Sequence, residues 1–272
     1  MKKRFIVLID FSEYSNNLIR YACDWGIKIN AELMLVHQTS ILAPALTDTE
    51  SRKQLVQDAY DDAMQKLEAL AKELIPSRMK VSYSVSESHL QLTITNLLQA
   101  SVDNLIFVGL KGAGFLKKIF LGSVSLQVIE NSKNIVVAMP KEIATFSHGK
   151  IFIAVTEKYP LNLLELNKLL NYIDRENTNI TFFYLAKPSE KTSDMEKQLR
   201  DLTALFAEKF NTNFAIYEGS TPFEDIKKVI NNKVNEMLIV QKGSRLLTDQ
   251  LFRKFLINEL VYEGQTPLII LP

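Results

Sequence analysis

The chain of 272 residues is long for one compact domain and comfortable for two of about 130 to 140 residues each. Its 47% hydrophobic, 9% aromatic and 23% charged residues match an average globular composition, which excludes wholesale disorder. Lys+Arg 32 against Asp+Glu 31 leaves a net charge of +1, so no overall field draws the chain to nucleic acid or an anionic membrane.

Met1-Lys2-Lys3-Arg4 before the apolar run Phe5–Ile9 has the outline of a signal peptide. The run is too short, and Asp10 stops it where a signal's apolar region would continue. It reads as a buried first strand. No segment reaches about 18 uninterrupted apolar residues, so no bilayer-spanning helix is expected and the protein is expected in the cytoplasm.

Ser12 is a candidate N-cap for a helix to about Ile29, in which Leu18, Ile19, Ala22, Trp25 and Gly26 recur on one face. Leu33–Val36 is the next strand, followed by a loop around Pro44 and an amphipathic helix from about Ser51 to Leu74. Val81–Val85 alternates apolar and polar residues, as a half-exposed strand does. A helix over about Leu90–Ala100 leads to the strand Leu105–Val108 and a glycine-rich loop. A helix from about Gly122 and a strand Ile135–Ala138 complete a unit ending at Pro140.

Alternating strands and helices call for a parallel sheet with helices on both faces. Right-handed crossovers favour the five-stranded order 3-2-1-4-5. That order puts a topological switch between the first and fourth strands, where Asp10 and Gly109 would sit and where ligands of open α/β sheets bind.

Residues 141–149 carry polar and small residues, including Ser147, His148 and Gly149, and read as a short linker. The pattern then restarts with strand Ile151–Val155, a helix from about Leu161, strand Ile180–Tyr184 and a helix from about Asp194 to Phe210. Strand Asn213–Tyr217, a helix from Pro222, strand Met237–Val240, a helix over Gln250–Tyr262 and strand Leu268–Leu271 follow. Residues 86–140 slide onto 218–272 without a gap, and Leu105–Val108 then lies over Met237–Val240. Internal duplication explains this, giving units at 1–140 and 150–272 around the linker. The fold class is therefore α/β, two tandem doubly wound five-stranded parallel-sheet domains.

The most informative stretch is the loop from Val108 to Ser123. Gly109 ends a buried strand, Gly112 and Gly114 follow, and Gly122-Ser123 opens a helix. Glycine lets a ligand approach the backbone, and the first amides of a helix attract phosphate. Ser123 and Ser125 add hydroxyls, and Lys111, Lys117 and Lys118 add positive potential or simply solvate the loop. Neither the P-loop pattern nor GxGxxG occurs.

Gly109-x2-Gly112-x9-Gly122-Ser123 resembles the nucleotide loop of the ATP-binding branch of the universal stress protein family. Asp10-Phe11-Ser12-Glu13 and Leu35-Val36-His37 resemble that family's other two landmarks. The resemblance implies a Rossmann-like, adenine nucleotide alpha hydrolase-like fold and an ATP or other adenine-nucleotide ligand, with Mg²⁺ beside the phosphates. It places Asp10 near the base or ribose and the main chain of Gln38 on the adenine. Gly109, Gly112, Gly122 and Ser123 would line ribose and phosphates, with Ser125 a weaker candidate. In the family, last strands pair across a dimer. Here the two domains are expected to pair that way within one chain, near Val136-Val137 and Ile269-Ile270, and further homodimerisation stays open.

On the internal overlay Gln241, Ser244, Lys254 and Phe255 replace the three glycines and the serine, and Thr156 stands for Asp10. The second domain is expected not to bind ATP in this way, and its Gly243-Ser244 to be a plain turn. His37 reads as a packed core histidine, Cys23 as a buried structural thiol, and the charges of Ser51–Leu74 as a solvated face. Three scattered histidines and one cysteine offer no metal site. No nucleophile or general base has an orienting partner, so slow, incidental hydrolysis is the most expected. A stress-response binding or signalling module is the leading reading. A slow ATPase or nucleotidyl or phosphoryl transferase, and a nucleotide-independent interaction protein, are the alternatives.

Overall fold

The computed structural model describes residues 2–39, 48–98, 102–109, 123–141, 143–157, 160–186, 188–218, 236–242 and 266–272. The loop at Pro44, the loop from 110 to 122, and the helices expected from Pro222 and over Gln250–Tyr262 lie outside them. So do Gly243-Ser244, Lys254 and Phe255.

The apolar runs form strands β1 (Lys2–Leu8), β2 (Glu32–Gln38), β3 (Val81–Ser86), β4 (Val102–Gly109) and β5 (Val136–Met139). Between them lie helices α1 (Glu13–Ile29), α2 (Thr49–Leu74), α3 (Leu90–Leu97) and α4 (Ser123–Asn131). Strands β6 (Lys150–Ala154), β7 (Asn179–Ala186), β8 (Asn211–Glu218), β9 (Glu236–Gln241) and β10 (Leu268–Leu271) follow, with α5 (Leu163–Leu170) and α6 (Ser193–Phe206) among them.

Among the described residues ten strands make one sheet in the order β3-β2-β1-β4-β5-β10-β9-β6-β7-β8. Each set of five has the expected order, and every pairing is parallel except the central one. There β5 and β10 run antiparallel, with Ile269 opposite Val137 and Ile270 opposite Val136, as the sequence anticipates. The apolar last strand is thus covered on both edges, which removes its tendency to recruit other chains.

The registers reproduce the internal overlay. Gly109 lies opposite Met139 on β5, and Gln241, 132 residues on, lies opposite Leu271 on β10. Ile6 pairs with Ile106 as Phe152 pairs with Leu238, so Thr156 occupies the place of Asp10. The Ile9 N–H to Val36 carbonyl bond has its counterpart in the Val155 N–H to Phe183 carbonyl bond, both 2.8 Å.

Both faces of the sheet are buried, which is why the strands read as continuous apolar runs. Phe5 and Val7 pack on one face and Ile6 on the other. Helix α1 buries Leu18, Ile19, Ala22, Trp25 and Gly26, and stops at Asn30, whose left-handed backbone (φ 54°) returns its N–H to Gly26 and Ile27. A Cβ at Gly26 would stand 2.7 Å from Met79 Cε, so the missing side chain leaves room for the Met79 methyl against α1. Helix α2 begins two residues before the expected Ser51, because Asp48 accepts from the N–H groups of Glu50 and Ser51. Helices α3 and α6 end earlier than expected, at Leu97 and Phe206.

Two local expectations are corrected. Ser12 holds the N-cap position of α1 but makes no side-chain cap; its hydroxyl donates to Asp10 instead. The second concerns the linker of polar and small residues, which also contributes buried side chains. Ile143 and Phe146 are 2% and 3% exposed, and the Phe146 ring stacks on Trp25 at 4.4 Å with 9° between planes. Phe146 N–H donates to the Asp24 carboxylate, and Trp25 Nε1–H donates to the Tyr172 carbonyl at 2.8 Å. An aromatic cluster therefore joins α1, the connector and the end of α5.

Candidate functional site

Asp10, Gln38 and Gly109 sit at or just beyond the C-terminal ends of three neighbouring strands, β1, β2 and β4. Parallel packing brings these ends to the switch between β1 and β4, as the element order predicts. Gly112 and Gly122, with Lys111, Lys117 and Lys118, lie outside the described residues, as does the Ser123 side chain; the Ser123 backbone opens α4.

Asp10 is exposed, and three donors converge on its Oδ1: Ser12 N–H at 3.0 Å, Ser12 hydroxyl at 2.5 Å and Ser15 hydroxyl at 3.0 Å. The turn that allows this is strained. Phe11 has φ 57°, a left-handed backbone unusual for so large a side chain. Its ring lies 4.3 Å from the His37 ring, and Lys66 Nζ stands 5.8 Å from its centroid.

His37 is half-buried. Its Nδ1 lies 2.7 Å from the Ile9 carbonyl, which can only accept, so that nitrogen carries a proton. The ring thus ties the end of β2 to the end of β1, a structural role beside the site. Cys23 is a buried thiol, as expected, pushed up to about 11 by burial and then by Asp24. The charged positions of α2 face solvent, also as expected.

Gly109 has no positive φ, and the nearest described atom to a Cβ there would be Leu18 Cδ2 at an ordinary 3.9 Å. Neither backbone conformation nor the described packing requires glycine at this position. Among the described residues no other atom comes within 4 Å of that place. The Ser125 hydroxyl donates to the Gly109 carbonyl at 2.9 Å, so that serine braces the strand end against α4.

The matching place in the second set of strands is filled. Gln241 Oε1 accepts from Asn162 N–H at 2.9 Å, and its Nε2 donates to the Pro272 carbonyl at 2.6 Å. The amide side chain therefore bridges the first turn of α5 and the end of β10. Sequence reading missed Ser15 and the Phe11–His37 pair. A serine five residues after Asp10 on the inward face of α1 was the available signal for the first, and nothing local signalled the second.

A family model described as the universal stress protein family matches residues 1–140. The chain belongs to the universal stress protein family. The crystal structure of a universal stress protein from Archaeoglobus fulgidus DSM 4304 is similar over 98% of this chain and 97% of its own, at 17% identity and TM-score 0.70. A putative universal stress protein from Pseudomonas aeruginosa UCBPP-PA14 is similar over 100% and 93%, at 14% identity and TM-score 0.55. The cytoplasmic domain of a prokaryotic cation chloride cotransporter is similar over 99% and 95%, at 12% identity and TM-score 0.53. At such identities the likeness is one of fold, and it runs through both sets of strands. No curated protein matches the chain. Among the described residues no helix is long and apolar enough to cross a membrane.

Proposed function

We propose that this universal stress protein is a tandem form, with domains at 1–140 and 150–272, that binds ATP or another adenine nucleotide in its first domain only. In this reading Asp10 meets the base or ribose and the Gln38 backbone meets the adenine. Gly109, Gly112, Gly122 and Ser123 line the ribose and phosphates, while Ser125 positions Gly109. The observation that carries it is the contrast between Gly109, which has no side chain at its strand end, and Gln241, whose side chain bridges Asn162 and Pro272 at the matching place in the second set. Asp10, gathered by Ser12 and Ser15 at the mouth, supports the same site. Mg²⁺ belongs to the reading as the phosphates' counter-ion. Among the described residues no group of three His, Cys, Asp or Glu side chains could hold a metal by itself. The protein would act in the cytoplasm as a stress-response binding or signalling module.

Calorimetric titration of the full chain with ATP and Mg²⁺ tests this. One ATP per chain is expected, and Gly109→Gln, which copies the second set, should abolish binding while leaving the melting temperature nearly unchanged. No heat at about 1 mM ATP, roughly the weak end of specific binding, would sink the assignment. Binding that survives Gly109→Gln would move the nucleotide elsewhere.

A further inference from the structure

The last bond of the β1–β2 ladder runs from the Ile9 N–H to the Val36 carbonyl at 2.8 Å. The next acceptor along it, the Ile9 carbonyl, is held by the His37 Nδ1 proton at 2.7 Å. Thr39 N–H turns the other way, to the Ser86 carbonyl at the end of β3, at 3.0 Å. By alternation the main-chain N–H and carbonyl of Gln38 face the side where β1 has ended.

The Gln38 side chain has its own place. It follows Met34 and Val36 on the face of the sheet that α3 and α4 cover, and it is half-buried there. That is the face of α4, at whose start the nucleotide reading puts the phosphates. Among the described residues the Gln38 carboxamide has no hydrogen-bond partner. In the second set Phe183 answers to Val36, so Leu185 answers to Gln38, and Leu185 packs against the core of that same face. The set with a free carboxamide is the one read as binding nucleotide; the other set has an apolar side chain instead.

A carboxamide offers a donor beside an acceptor. Adenine presents the complement, an N6 amino donor beside the N7 acceptor, whereas guanine presents acceptors at both O6 and N7. We propose that the Gln38 side chain selects adenine over guanine, its Oε1 accepting from the N6 amino group and its Nε2 donating to N7. This rests on the nucleotide reading above and adds the residue that chooses the base.

Calorimetric titration of the full chain with ATP and with GTP, each with Mg²⁺, is the test. The parent should bind ATP at least about tenfold more tightly than GTP, the lower end of what such a paired contact discriminates. Gln38→Leu copies the second set and should melt close to the parent. It should bind ATP about tenfold more weakly and GTP as before, so the preference disappears. Gln38→Lys, which can only donate, should turn the preference toward GTP. A side chain that merely props the pocket would weaken both nucleotides equally in Gln38→Leu. That result, or an unchanged ratio of the two affinities, would overturn the proposal while leaving ATP binding by the parent intact. A parent that binds no ATP would bring down the nucleotide reading and this proposal together.

Discussion

Phe146→Ala probes whether the connector is part of the core. The ring is 3% exposed and stacks between Trp25 at 4.4 Å and His148 at 5.0 Å, with Tyr21 edge-on at 5.6 Å. Truncating a buried Phe costs about 3–5 kcal/mol, and aromatic pairs contribute about 0.5–1.5 kcal/mol of it beyond area. The backbone bond to Asp24 survives, because Phe146 donates through its N–H. The connector can also settle into part of the vacated space. The expected loss therefore lies at the lower end, about 3 kcal/mol. Urea unfolding reads it directly as a lowered midpoint at unchanged slope. The chain has one tryptophan, so its fluorescence should also shift when the ring stacked on it is removed. Thr145→Ala, at the exposed neighbouring position, is the control and should stay within about 0.5 kcal/mol. A loss below about 1 kcal/mol for Phe146→Ala would refute the reasoning and show that residues 143–149 add little to the core.

Cys23, 4% exposed and pushed up to about 11, should resist thiol reagents at neutral pH in the native protein and react fully in denaturant. Rapid native labelling would show that α1 opens. Burial and Lys28 lower the His148 pKa against the opposing pull of Asp174, 3.9 Å away. The unfolded chain then takes up that proton first as pH falls through about 6.5, so this site's stabilisation, present above that value, is lost on going down to the lower folded pKa. His148→Gln should flatten the dependence of melting temperature on pH between about 7 and 5. Equal slopes for variant and parent would refute it.

The sheet was legible because buried parallel strands are continuous apolar runs, and because 86–140 and 218–272 overlay without a gap. The shared registers of β4–β5 and β9–β10 are the physical basis of that overlay. The Gly109–Gln241 contrast could be read from sequence, but the use of Gln241 could not. Its partners Asn162 and Pro272 stand 79 and 31 residues away. Ser12 and Asp10 are both capping-type residues. Whether the Ser12 hydroxyl caps the helix or donates to the Asp10 carboxylate depends on the left-handed turn at Phe11, where no glycine announces it. Phe146 was hidden for the opposite reason. A single aromatic among small and polar residues has no periodicity, and Trp25 and Tyr21, from the distant α1, give it a place.

The antiparallel seam at β5 and β10 has a geometric consequence. Because each set of strands is parallel within itself and the two meet head to tail, Gly109 and Gln241 lie on opposite rims of a common sheet. No single small ligand can touch both strand ends. Lys242, next to Gln241, donates to the Ser132 carbonyl at the turn into β5, so one rim is fastened to the base of the other set. A strain that starts at the Gly109 rim would have to run the length of the central strands to be felt at the Gln241 rim.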